Sequence, residues 1–392
     1  MAFEPGSMLP FSREELLARQ GRLRASLNEM GVDAMVVFAQ ESHYWLTGYD
    51  SGGFVFFQCA IVTADERPIV LLTRRPDLVQ ARLTSTIDDI RIWWDADDAN
   101  PAEDLRAILE ELGLKGGRVA IELNTHGLTG WNLWRTQRAL DGFCTLEDDE
   151  HLIRRLRLIK SPAELQYMRK AAEILDVSLV EVIEAAKPGM LEQDVKGVYF
   201  ASIMRQGADF PPNGPLFNSG ERATFGRSVA GPRRIEAQDQ LLVEYPVPYR
   251  RYNVKTEWTI IFGDLSDTQR RMYDAARKTL HRMTEIARPG TALGEIFQAH
   301  ADGLDGAGYA AHRYGATGYS VGLGYAPTSM DVPPMIYAGA KQPCEPGMTL
   351  FYHVMIGDSD SGYGMGVGHT LLVTDDAPEV LTALPDDITV VG

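Results

Sequence analysis

Titratable side chains set inside otherwise apolar strands are the residues of this chain that could do chemistry, because a buried charge is costly unless it is paired or used. Four runs carry them. They supply Glu244 in LLVEYPV, Lys255 and Glu257 in NVKTEWTII, His353 in LFYHVMI and His369 in GVGHTLLV. Strand alternation puts Lys255 and Glu257 on one face of their strand, so a Lys–Glu–Glu group with two imidazoles is expected to converge on a sheet surface. A carboxylate there could attack a carbon or activate water, and an imidazole could move protons near neutral pH. For each residue the plain alternative is a solvated strand edge or a satisfied ion pair.

The elements that must position these residues follow from periodicity. In the first part, an amphipathic helix over 13–30 feeds a short buried strand at 34–38. Further strands are expected at 54–62, 68–72, 90–94 and 119–122, alternating with helices at 101–112 and 132–140, which is the pattern of a mixed α/β domain over 1–155. From 151 to 186 the pattern predicts two long helices bridged near Asp176, with Ser161-Pro162 at a helix start. Beyond them, strands at 241–249 and 253–262 joined at Arg250-Arg251, helices at 266–287 and 292–307, and strands at 349–355 and 368–374 make an α+β domain over 156–392.

With 392 residues, two domains are expected. A formal net charge of −16 repels a phosphate backbone or an anionic membrane, and the densest basic stretch, RRLRLIK at 154–160, reads as a solvated helix face, so nucleic acid is not expected as a partner. No run of about 18 apolar residues is found, and MAFEPGSMLPFSREE has no apolar signal-type segment; a cytoplasmic location without membrane association is expected. Cys59, Cys144 and Cys344 are widely spaced with no CxxC pair, which fits free thiols rather than a thiolate metal site.

Several ordered motifs resemble the creatinase/aminopeptidase P (M24-type) family. They are YWLTGY at 44–49, LRLIKSPAELQYMRKAAEI at 156–174, RPG at 288–290, GYSVG at 318–322 and CEPGM at 344–348. The resemblance implies a creatinase-like α/β N-terminal domain and a C-terminal pita-bread (α+β) domain that carries the site. Its metallopeptidases bind two metal ions through two Asp, one His and two Glu. On those positions this chain carries Glu244 and Lys255, then Tyr319, then His353 and Gly368. An ammonium and a residue without a side chain are not metal ligands, so the resemblance points to the metal-free branch, with no cofactor.

Within that branch the chain is similar to ectoine hydrolase, through LPFSREE at 9–15, WLTGYD at 45–50, VEYPVPYRRY at 243–252 and GYSVGLGY at 318–325, and then to creatinase. The creatinase catalytic His position holds Arg227 here. The expected activity is metal-independent hydrolysis of a C–N bond in a small zwitterionic amidine, amide or ureido compound. The resemblance implies Glu244 as nucleophile or base, Glu257 as holder of a cationic group, His353 and His369 as proton carriers, and Tyr319 as donor to an oxyanion. By its bidentate donors Arg227 suits a substrate carboxylate, with a structural ion pair as the alternative, and Lys255 is expected beside the substrate. The creatinase resemblance implies Phe54 and Phe56 as an apolar lid from the neighbouring subunit of a homodimer, with core packing as the alternative. The alternatives are an Xaa-Pro metallopeptidase, a lyase acting on a betaine or sulfonium compound, and a relative that only binds.

Overall fold

The structure, a computed structural model, describes residues 4–149 and 151–392. The chain divides into two compact units, Met1–Arg157 and Leu158–Gly392.

In the first unit the elements run α1 (Arg13–Met30), β1 (Ala34–Val37), α2 (Gln40–Thr47), β2 (Cys59–Thr63), β3 (Val70–Arg74), α3 (Leu78–Thr84), β4 (Asp89–Trp93), α4 (Pro101–Glu111), β5 (Arg118–Ile121), α5 (Gly130–Leu140) and β6 (Thr145–Asp148). The strands form one mixed sheet in the order β4-β3-β2-β1-β5-β6. Alternate residues of its central strands, such as Val36, Phe38, Ile61 and Leu72, pack with Leu105 and Leu109 of α4 in one core, which is why a helix-period stripe and short apolar strands occur together in this sequence. The strand expected over 54–62 starts only at Cys59. Ahead of it, Gly53–Val55 is a short 3₁₀ turn, because the Ser51 hydroxyl accepts from Gly53 N at 2.8 Å and donates to Asp77 at 2.9 Å, which offers the backbone an alternative to the ladder.

A short helix, α6 (Leu152–Leu158), precedes the elements of the second unit. These are α7 (Pro162–Ala185), α8 (Glu192–Arg205), β7 (Leu216–Ser219), β8 (Gln240–Tyr249), β9 (Tyr252–Phe262), α9 (Asp267–Glu285), α10 (Leu293–Gly306), β10 (Ala316–Val321), β11 (Met330–Tyr337), β12 (Thr349–Asp358), β13 (Tyr363–Leu372), β14 (Glu379–Val380) and β15 (Thr389–Val391). The expected break near Asp176 does not occur, and α7 is continuous through it. Asp176 accepts from Ala383 N at 2.8 Å, a tertiary contact, while the true start is a capping box between Ser161 and Glu164 with Pro162 in the first turn. No element was expected where α8, β7, β10 and β11 stand.

The nine-stranded sheet runs β11-β10-β12-β13-β9-β8-β7, with β14 on β13 and β15 on β9. Its helical face receives Trp258, whose ring meets Tyr273 of α9 edge-on at 6.0 Å, and Tyr245, which packs with Tyr199 of α8. Residues of the opposite parity, Glu244, Lys255 and Glu257, therefore face away from these helices. The β8–β9 hairpin closes through two arginines at positive φ, Arg250 at 51° and Arg251 at 67°, as a two-residue turn requires; Asp209 supports it by accepting from Arg251 N at 2.8 Å. Between β9 and β13 a hydroxyl replaces part of the ladder: Thr370 Oγ1 accepts from Lys255 N at 2.8 Å and donates to Lys255 O at 2.9 Å. Thr370→Val keeps the shape, leaves the buried Lys255 N–H without a partner and leaves Lys255 O only the longer bond from Thr382 Oγ1 at 3.4 Å, so a loss of about 2 kcal/mol is expected from urea unfolding. An unchanged midpoint would show that this hydroxyl does not hold β9 in register.

Candidate active site

One row of directly paired residues crosses four strands of the second sheet: Glu244 on β8 opposite Glu257 on β9, Glu257 opposite Gly368 on β13, and Gly368 opposite His353 on β12. Residues paired in this way point to the same face. The glycine leaves a gap between Glu257 and His353 whose backbone ends are two strand spacings, about 10 Å, apart. A second glycine, Gly366, lies beside it, where an added Cβ would come within 2.6 Å of Glu257 Oε1. At both positions glycine is what lets the Glu257 side chain lie against β13: a Cβ at Gly368 would come within 3.1 Å of Glu257 Cβ and 2.7 Å of Tyr352 O.

Lys255 stands on the same face of β9, and its Nζ donates to Glu244 Oε1 and to Tyr319 Oη. Tyr319 of β10 is paired with Phe351 of β12, and Phe351 stacks on His353 with ring centroids 5.6 Å apart. Lys255 is buried, but Glu244 keeps 26% of its side chain open, so a ligand can reach the carboxylate. Glu257 is buried, and its Oε2 has no hydrogen-bond partner.

The proton states follow from these neighbours. Burial raises the Glu244 carboxyl, yet the Lys255 ammonium outweighs it and holds the group below its ordinary value, as a carboxylate. Burial alone would lower Lys255, but Glu244 and Tyr319 keep it above its ordinary value and protonated. Glu257 is pushed well up, first by burial and then by the Glu244 charge, which favours its protonated, neutral form. Burial takes His353 down to about 4, leaving a neutral imidazole, and takes Tyr319 up to about 12. An ionised and a protonated carboxyl thus stand side by side, the pattern of a base or nucleophile with its acid.

His369 does not join this group. It lies one residue past Gly368, on the helical face, where its Nε2 meets Thr284 Oγ1 of α9 at 2.9 Å. Arg227 is on an exposed loop, where its guanidinium donates to the neighbouring Gly226 O at 2.6 Å and its carbonyl accepts from Asn218 Nδ2 at 3.2 Å, while its charge is felt by Glu244 and His353. Phe54 and Phe56 belong to the first unit, where Arg74 stacks on Phe56 at 3.9 Å. Sequence reasoning missed Phe351, which alternation from His353 would have supplied, and Tyr314. The Tyr314 phenol is coupled to Glu257, Arg227 and Glu244, but it precedes β10 and no periodicity marks it.

A Creatinase/Prolidase N-terminal domain model matches residues 19–159, and a model described as Metallopeptidase family M24 matches residues 166–375. The chain belongs to family M24. It is a hydrolase of that family with the creatinase-like N-terminal domain and the pita-bread C-terminal domain. Among its relatives, the ectoine hydrolase of Halomonas elongata is 26% identical over 96% of this chain and 97% of that protein. The Xaa-Pro dipeptidase of Pyrococcus furiosus is 28% identical over 44% of this chain and 50% of that one. A prolidase structure from Thermococcus sibiricus superposes with a TM-score of 0.86 at 19% identity, covering 96% of this chain and 99% of that one. At that identity the likeness is one of fold.

The family's metal does not fit the residues present in this M24 chain. Between Glu244 and Tyr319, where an ion would have to be gripped, stands the Lys255 ammonium, and Gly368 offers no donor. Among the described residues no group of three or more His, Cys, Asp or Glu comes together as a metal site.

The neutral state of Glu257 has a stability signature. Its folded pKa is raised, so its favourable contribution is complete below the unfolded value of about 4.3 and is eroded as pH climbs toward the folded value. Glu257→Gln, which copies the neutral acid, should match wild type near pH 4 and be increasingly the more stable of the two up to pH 8 in urea unfolding. A pH-independent difference would mean that Glu257 is ionised.

Proposed function

We propose that this protein is a metal-independent hydrolase that cleaves a C–N bond in a small zwitterionic amide, amidine or ureido compound of the ectoine or creatine type. The observation that carries the reading is the buried Lys255–Glu244 pair beside the neutral acid Glu257. Cleavage needs an oxygen at the electrophilic carbon, a proton for the leaving nitrogen and a donor to the developing oxyanion. Glu244 provides the first, either taking a proton from water as the water oxygen bonds to carbon, or bonding to the carbon itself in an intermediate that a water then cleaves to release Glu244 and the acid product. Glu257 gives its proton to the nitrogen as the C–N bond breaks, and neutral His353 accepts or returns a proton during turnover. Tyr319 donates to the oxyanion, and Arg227 meets the substrate carboxylate.

The ectoine hydrolase similarity spans almost the whole chain, which supports a non-peptide substrate; the Xaa-Pro dipeptidase similarity spans under half. Elimination from a betaine or sulfonium compound is less well supported, because the groups that would abstract the α-proton, Lys255 and Glu257, already carry theirs. A cytoplasmic homodimer is part of the proposal, with exposed Phe56 available as its apolar lid residue.

Thermal-shift screening of ectoine, creatine and related zwitterions, with and without chelator, should yield a stabilising ligand whose effect survives chelation and whose C–N bond is hydrolysed. Glu244→Gln should lower that turnover by about a thousandfold or more. Activity restored only by added metal would overturn the reading in favour of a peptidase.

A further inference from the structure

The Lys255 ammonium lies in a setting that needs no ligand to complete it. Its Nζ donates to Glu244 Oε1 and to Tyr319 Oη, and sits 5.1 Å from the Tyr319 ring centroid and 4.9 Å from that of Phe351. Its side chain is 4% exposed. One carboxylate, one phenol oxygen and the Phe351 ring face together form a receptor for an alkylammonium group. Here the group that fills it is tethered to β9.

We propose that Lys255 is a positioning residue rather than a substrate ligand: its ammonium plugs a cation socket built by Glu244, Tyr319 and Phe351, and acts on the ligand only through them. Two consequences follow from the hydrogen bonds. Tyr319 Oη accepts from Nζ, so its single proton is left for another acceptor, which is the orientation an oxyanion donor needs. Lys255 holds Glu244 by Oε1 alone, and the Glu244 side chain keeps 26% exposure. The plug also bears on specificity, because a cationic group of the substrate finds the Glu244 charge already answered by Lys255. The catalytic consequence rests on Glu244 and Tyr319 acting as proposed above, while the socket stands on geometry alone.

Emptying the socket tests both. Lys255→Ala should melt below wild type and be restabilised by about 50 mM methylammonium chloride relative to equal sodium chloride, whereas wild type and the Lys255→Ala/Glu244→Gln double variant should not respond. On any substrate that wild type turns over, Lys255→Met should lower kcat about a hundredfold with KM within about threefold, and methylammonium should return about tenfold to Lys255→Ala. Folded Lys255→Ala that ignores methylammonium overturns the socket. A raised KM with kcat retained overturns the positioning role, since that is what loss of a substrate ligand gives. Should Lys255→Ala fail to fold, Lys255→Met is compared with Lys255→Met/Glu244→Gln: a more stable double variant supports the socket, and equal stability overturns it. If wild type hydrolyses none of the zwitterions, the hydrolase reading fails by itself, and the methylammonium response still decides the socket.

Discussion

An ammonium withdrawn from water has to be answered by an anion, and in this protein the answer is a single carboxylate one strand away. Lys255 and Glu244 neutralise each other where burial penalises both. The states of the neighbouring groups follow from that pairing. Burial first, and then the Glu244 charge directly opposite, hold Glu257 toward its neutral form, and burial keeps His353 neutral in spite of the nearby carboxylate. The site therefore presents one anionic oxygen, one acid proton and one neutral imidazole, a set of groups with distinct proton-transfer tasks.

The sheet supplies the geometry that this pairing needs. Four strands in register bring Glu244, Glu257, Gly368 and His353 into one row, and helix α9 behind Trp258 fixes which face the row uses. Where the Glu257 side chain lies against β13 the strand carries glycines, and the hydroxyl of Thr370 holds β9 where the regular ladder is interrupted. The scaffold is that of family M24, shared with dipeptidases and prolidases at TM-scores above 0.8, yet the centre of the face is occupied by a lysine. A fold can be kept intact while its chemistry is reassigned by a few inward-facing positions.

Much of this was legible in the residue order. Apolar periodicity located α1 and α9 and the central strands β8 and β9, since those elements bury a continuous stripe or alternate faces and little else competes with that signal. Titratable residues inside apolar strands marked Glu244, Lys255, Glu257 and His353, which the structure does bring together. Short or edge elements such as β7 and β10 were not visible, because four to six residues with glycines and polar side chains carry no period of their own. Asp176 looked like a helix break and instead holds a distant backbone amide, a contact that local propensity cannot show.

The sequence by itself determined the residue types, the parity along each strand and hence which acids, ammonium and imidazole could share a face. It could not determine the pairing between strands. His353 and His369 look equivalent in the chain, but the register that sets Gly368 opposite both Glu257 and His353 turns His369 to the helices. Tertiary structure also decided ionisation, because a pKa depends on burial and on which charge lies nearest, and both are properties of the assembled sheet.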